Sequence, residues 1–347
     1  MRVRETVVGL VAAAAGVALF VYAVRRAGLA EIIEGLRRVG VGFLLVLSCS
    51  AVREVARALA WTLCVERPHR LPFWQAFRAR QTGEAIGNLT PLSLLASEPT
   101  KAFFVRHTVP LTSGLSSLAI DNVVYTFSVL LMIAAGATAL LTSLTVPEAL
   151  REVTLASIAL VAAFGAAGIW LLRTRPRVAS RLIERVAARF GKTALSRHAE
   201  QARTIEDGIY GFAGRNAGRL VPLSLLAATF HAAGVAEVYV TLGLLMGAWP
   251  TLLDAFVLES MNRLITVVFK VVPLRLGVDE AGTGLMTNVM GFGTTVGVTM
   301  AIVRKTRVLF WTLLGLISLV QRGIRPVRTL ADAERLFTGD RGNDDAR

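Results

Sequence analysis

Asn122-Val-Val-Tyr-Thr-Phe-Ser-Val-Leu-Leu-Met-Ile-Ala-Ala-Gly-Ala-Thr-Ala-Leu-Leu-Thr-Ser-Leu-Thr-Val-Pro147 contains no charged residue. A helix needs about 20 such residues to cross roughly 30 Å of hydrocarbon. Thr6 to Val24 and Val153 to Leu172 repeat the pattern, and neither shows the period-two alternation of a barrel strand. In lipid the backbone must satisfy its own polar groups, so these runs predict helices embedded in a bilayer. The fold class expected is an all-α polytopic membrane protein.

Composition points the same way. The 347 residues are 54% hydrophobic and only 18% charged, against about 25% in an ordinary soluble domain. The net charge of +14 is concentrated outside the apolar runs: Arg173 to Arg219 holds eleven Lys/Arg against four Asp/Glu. Arg2 and Arg4 precede the first run, and Arg322, Arg325 and Arg328 follow the last. Basic loops flanking spans follow the positive-inside rule, and no aromatic-interleaved motif supports nucleic-acid binding. Cys49 and Cys64, on one predicted helix, are about 22 Å apart, beyond disulfide reach.

Working outward, full spans are expected at about 6–24, 41–64, 112–142, 152–172, 220–246 and 294–320. Segments 72–104 and 251–290 are apolar but interrupted by Pro, Gly and charge. Gly87-Asn-Leu-Thr-Pro91 cannot continue a helix comfortably, so both are read as re-entrant broken helices shielded from lipid by protein. Pro91-Leu-Ser-Leu-Leu-Ala-Ser-Glu98 matches Pro273-Leu-Arg-Leu-Gly-Val-Asp-Glu280 at an offset of 182. Carried forward, that offset pairs Ala119-Ile120 with Ala301-Ile302 and sets Asp121 and Asn122 opposite Val303 and Arg304.

An inverted repeat is the resulting expectation, with halves at about 41–172 and 220–320 of one membrane domain, 1–330. The basic 173–219 linker and both termini are expected on the cytoplasmic side. Arg25, Arg26, Arg37 and Arg38, in a loop assigned to the opposite side, do not fit this orientation. The linker reads as amphipathic helix, lying on anionic lipid or standing as a solvated hairpin. The tail 331–347 is expected to be disordered.

Ionisable residues within spans are costly and mark candidate sites. Arg53, Glu54 and Arg57 form one group, with Glu54 in reach of Arg57 at i,i+3 or all three snorkelling to the interface. Asn88, Pro91, Glu98 and Lys101 form a second, in which Lys101 is the expected partner of Glu98, and the helix ends at the break offer N–H groups to a phosphate. Arg275, Asp279 and Glu280 form the corresponding third, followed by glycines better suited to close packing than to a dinucleotide loop. Arg304, Lys305 and Arg307 would lie near mid-membrane if 294–320 is one helix, facing Asp121 if the repeat is symmetric; the alternative ends a span at Val303 and makes them a loop. His231, Glu237, Glu259 and Arg263 are isolated intramembrane polar groups, each weak by itself. The four histidines lack metal-ligand spacing, and no nucleophile elbow, Walker loop or H-E-x-x-H occurs, so neither enzyme activity nor a cofactor is expected.

Gly87-Asn-Leu-Thr-Pro91 running to Ser97-Glu-Pro-Thr-Lys101, then Pro273 to Glu280 and a late Arg, resembles the lysylphosphatidylglycerol synthase transmembrane-region family, also called flippase-like domain proteins. The likeness runs from about residue 6 to 325. Leu92 to Ser97 carries Leu, Ser and Ala where the family usually has glycines. The resemblance implies a lipid-translocating membrane region without the aminoacyl-transfer domain of full-length synthases. It assigns roles to Asn88, Pro91, Glu98, Pro99 and Lys101, and to Gly277, Glu280 and Arg304. Three functions remain open: translocation of an anionic lipid in a bacterial cytoplasmic membrane, a lipid-binding subunit docking a biosynthetic partner, and an intramembrane transferase using Glu98.

Overall fold

The computed structural model describes residues 25, 29–89, 93–143, 148–190, 194–269, 272 and 275–321. The first span expected at 6–24, Pro91, Pro273 and the tail 331–347 lie outside the described residues. Those described are helical, with no strand among them.

In chain order the helices are α1 (Leu29–Val39), α2 (Phe43–Cys64), α3 (Phe73–Leu89), α4 (Ser93–Phe104), α5 (Leu111–Ser143), α6 (Glu148–Thr174) and α7 (Val178–Phe190), with a short 3-10 turn, Gly40–Gly42, between the first two. Then come α8 (Ala194–Arg215), α9 (Ala217–Met246), α10 (Leu252–Val268), α11 (Val278–Val289) and α12 (Thr294–Gln321). Four helical stretches among the described residues are long and apolar enough to cross a membrane: Ile32–Cys64, Leu111–Ser143, Arg151–Thr174 and Ala217–Met246. They coincide with four of the expected spans. A fifth, 294–320, is one unbroken helix of 28 residues, about 42 Å long, that carries its three cations in mid-course.

The polarity of the fold is reversed relative to a soluble protein. Leu131, Phe164, Trp170 and Val221 are all at least 60% exposed, whereas Asp121, Glu280 and Lys101 are at most 2% exposed. Apolar side chains outward and paired charges inward are what hydrocarbon solvent selects. The molecule is an integral membrane protein.

Both interrupted segments fold as helical hairpins: α3 packs on α4, and α10 packs on α11. At their centre α2 lies along α9. Each hairpin's first arm also packs against a long helix distant in sequence, α3 against α12 and α10 against α5. Glycine permits both approaches. A Cβ at Gly315 would collide with the Gln81 backbone carbonyl, and one at Gly136 with the Ser260 side chain. The expectation that glycines after Glu280 serve packing holds at Gly297, where a Cβ would meet Thr283, Gly284 and Thr287 across the α11–α12 contact.

The basic linker is the α7–α8 hairpin. Ser180 donates to Glu206 at 2.7 Å, and the Tyr210 hydroxyl to the Pro176 carbonyl at 2.8 Å. Arg219 donates to the Leu63 and Val65 carbonyls, satisfying the open end of α2. Glu66 accepts from Arg215 Nε and Nη2 and from Asn216. These hydrogen bonds, led by that of Arg215, hold the Glu66 carboxyl below its ordinary pKa.

Candidate functional site

Among the described residues, three groups of ionisable side chains occupy the interior. The first surrounds Asp121 on α5. Its two oxygens meet Arg57 of α2 at 3.1 and 2.9 Å, and Arg80 of α3 at 3.3 Å. Arg57 also lies 4.1 Å over the Tyr125 ring. The group extends into the first hairpin, where Lys101 Nζ is 2.6 Å from Glu84 and 2.9 Å from Glu98. The expected Glu98–Lys101 contact is present; Glu84 is an additional partner. Pro99 sits within α4 between them.

The second group surrounds Glu237 on α9. Its Oε2 accepts from Arg53 of α2 and Arg307 of α12, both at 2.8 Å. The Arg53 guanidinium lies 4.7 Å from the Phe230 ring, and Arg263 lies 5.0 Å from the same ring while pairing with Glu259. Arg304 lines a crevice beside Glu237 with Thr241, Met300 and Val303.

The third group is at the second hairpin. Lys305 of α12 reaches Asp279 at 3.4 Å and Glu280 at 2.9 Å, and Arg275 reaches Asp279 at 3.3 Å. Gly277, at φ +78°, begins α11, and its amide donates to Glu280 Oε2 at 2.7 Å. Arg275 has φ +47°, an uncommon conformation for a side-chain-bearing residue. At this helix start the chain's own carboxylate takes the amide; the break near Pro91, where helix ends were expected to offer N–H groups to a phosphate, lies outside the described residues.

Several sequence-based expectations are corrected. Glu54 accepts from Gln81 of α3 at 2.9 Å instead of pairing with Arg57. Residues 54 and 57 sit on adjoining parts of the helix circumference, and each finds a different neighbouring helix. Nor do the cations of α12 face Asp121, whose oxygens are taken by Arg57 and Arg80. Successive helical residues point about 100° apart, so Arg304, Lys305 and Arg307 are distributed between the Glu237 and Glu280 groups. Asn88 donates to Thr312 of α12 at 3.0 Å and acts here as a helix–helix tie.

Arg80 and Glu84 were missed. Their i,i+4 spacing inside the interrupted segment was the available signal. Glu237, Glu259 and Arg263 were recognised singly but not as a group: the partners of Glu237 are remote in sequence, whereas the Glu259–Arg263 pair was available at i,i+4 spacing. Among the described residues, no group of His, Cys, Asp and Glu is arranged to hold a metal ion.

Comparison with known proteins agrees with this architecture. The family described as the lysylphosphatidylglycerol synthase TM region matches residues 7–315 of the 347. No curated protein and no solved structure matches the chain. With nearly nine-tenths of its length matched, this membrane protein belongs to the lysylphosphatidylglycerol synthase transmembrane-region family, a family associated with lipid handling.

Proposed function

We propose that the protein translocates an anionic lipid, or a lipid-linked substrate with an anionic headgroup, between the leaflets of a bacterial cytoplasmic membrane, without catalysing a reaction on it. Its halves, 41–172 and 220–320, act as an inverted repeat, with the termini and the 173–219 linker cytoplasmic. One observation carries this reading: ionised side chains from α2, α3, α5, α9, α11 and α12 meet in the interior of an apolar bundle. Several kcal/mol oppose burying each such charge, and hydrophobic replacements would stabilise the bundle as well or better. A polar path for a headgroup accounts for their presence. Glu98 and Glu280, one on each hairpin beside a lysine, act as the gating carboxylates.

The test uses liposomes containing headgroup-labelled phosphatidylglycerol and a membrane-impermeant reductant. Wild-type protein is expected to expose label beyond the outer-leaflet fraction, and Glu98→Gln or Glu280→Gln to abolish this. Translocation that survives both substitutions removes the gating role. No translocation of any lipid class offered removes the proposal.

A second reading has its own observation. On α7, Val178 and Leu182 are 56% and 60% exposed beside Arg181 and Arg185, a surface suited to docking a lipid-biosynthesis partner or to resting on anionic lipid. Charge reversal at Arg181 and Arg185 should impair docking and leave Glu98-dependent movement intact.

A further inference from the structure

The interior charge groups differ in balance. Around Asp121 and the first hairpin, Arg57, Arg80 and Lys101 face four carboxylates, Glu54, Glu84, Glu98 and Asp121. At the second hairpin two cations, Arg275 and Lys305, face two carboxylates. Around Glu237, by contrast, four guanidiniums (Arg53, Arg263, Arg304 and Arg307) face, among the described residues, only Glu237 and Glu259. This group carries a surplus of two positive charges.

Its hydrogen bonding is also unfinished. Arg53 and Arg307 each use Nη1 on the same Glu237 oxygen. The Nε of each is buried with no partner, and Arg53 is only 7% exposed. A guanidinium that engages one N–H of its fork and leaves Nε free retains the edge that grips phosphate bidentately. Arg304 makes no direct ion pair among the described residues and lines the crevice that leads to the Glu237 carboxylate. In this conformation the crevice is too narrow to hold a water molecule. Arg57 and Arg80 also share one carboxylate and Arg80 Nε is likewise unpartnered, but carboxylates are in excess there; around Glu237 shared pairing coincides with surplus positive charge.

We propose that Arg53, Arg304 and Arg307 form a phosphate site and that Glu237 occupies it when no ligand is bound. Glu237 is then an internal substitute for the ligand, holding α2, α9 and α12 together in a closed state. A phosphate-bearing headgroup displaces it, takes up the free Nε edges and offsets the surplus charge. The inference rests on the translocation reading for its lipid, but binding is measured separately from movement.

Equilibrium binding of short-chain phosphatidylglycerol to the purified full-length protein tests it, with phosphatidylcholine as the zwitterionic control. Arg304→Gln removes no ion pair, so the fold is expected to persist while affinity falls about tenfold, the equivalent of one lost charge-assisted hydrogen bond. Arg307→Gln should act similarly, and Glu237→Gln should tighten binding. Should Glu237→Gln fail to fold, the charge-balanced Arg53→Gln/Glu237→Gln protein replaces it and should still bind. Unchanged affinity in both single arginine variants, weaker binding in Glu237→Gln, or no binding by the double variant overturns the proposal. Inorganic phosphate that competes identifies the phosphate group alone as the ligand, whereas lipid binding that resists it identifies the intact headgroup. Binding as expected without translocation would leave this site standing and sink the transport function.

Discussion

The two hairpins carry a glutamate at matched positions, Glu98 and Glu280, and each glutamate meets a lysine. The lysines come from different places. Lys101 lies three residues beyond Glu98 on α4 and also holds Glu84 on the other arm, so both of its ion pairs close within the first hairpin. Lys305 belongs to α12, so the second hairpin is tied to a helix outside it. The settings differ too: the Glu84 side chain is 46% exposed, whereas Glu280 is fully buried. Displacing the first hairpin therefore keeps the Lys101 pairs but breaks the Arg80–Asp121 pair with α5, whereas displacing the second must either carry α12 with it or break the Lys305 pairs.

The sharpest way to break this comparison is to remove each lysine. Lys305→Met leaves the Glu280 carboxylate buried with a backbone amide but no cation, a loss of about 3–5 kcal/mol. Lys101→Met should cost less, about 1–2 kcal/mol, because Glu84 is partly exposed and Arg80 lies 3.9 Å away to take it over. Thermal unfolding of the two variants in detergent checks the order. Equal losses, or a larger one for Lys101→Met, would show that the difference in partner carries no energetic weight.

A smaller effect is expected where the first arms pack. Gly315→Ala drives a methyl into the Gln81 backbone, which can yield only by shifting α3, and about 2 kcal/mol should be lost. Gly136→Ala meets Ser260 Cβ, which is fixed to the α10 backbone and cannot rotate away, so about 2 kcal/mol should be lost there too. A melting temperature that falls for only one of the two variants would show that the other contact yields.

The smallest effect concerns how the chain approaches each hairpin. Before α10, Thr251 and Asp254 cap one another locally, whereas before α3, Glu66 is held by Arg215 and Asn216 of the α8–α9 junction. Arg215 lowers the Glu66 pKa, so its contribution is full above the ordinary carboxylate range and vanishes as pH falls through the lowered value. The pair is solvent-exposed, so no more than about 1 kcal/mol is involved. Accordingly, Glu66→Gln should reduce stability at neutral pH and make no difference in strong acid. A constant difference across pH would remove the electrostatic explanation.

Much of the fold was legible beforehand because hydrocarbon imposes a length and a composition that one stretch of chain displays by itself. The uncharged run after Asp121 and the prolines and glycines of the two hairpins lie within single segments. The candidate site was legible in part for the same reason. Glu98 and Lys101 are one helical turn apart, and their contact follows from 3.6 residues per turn. Asp121 was visible as a charge that required a partner, but Arg80 was not visible as that partner.

What the sequence by itself determined is therefore membership of the bilayer, the helical class, the broken segments and the presence of interior charge. The tertiary structure alone decided which cation meets which anion, and so where charge is left over. Arg53 and Glu237 are 184 residues apart, and no local periodicity relates them. Their pairing follows from the packing of α2 along α9, and α12 brings a second arginine to the same carboxylate. An unbalanced charge is a property of a neighbourhood, and neighbourhoods exist only once the helices have packed.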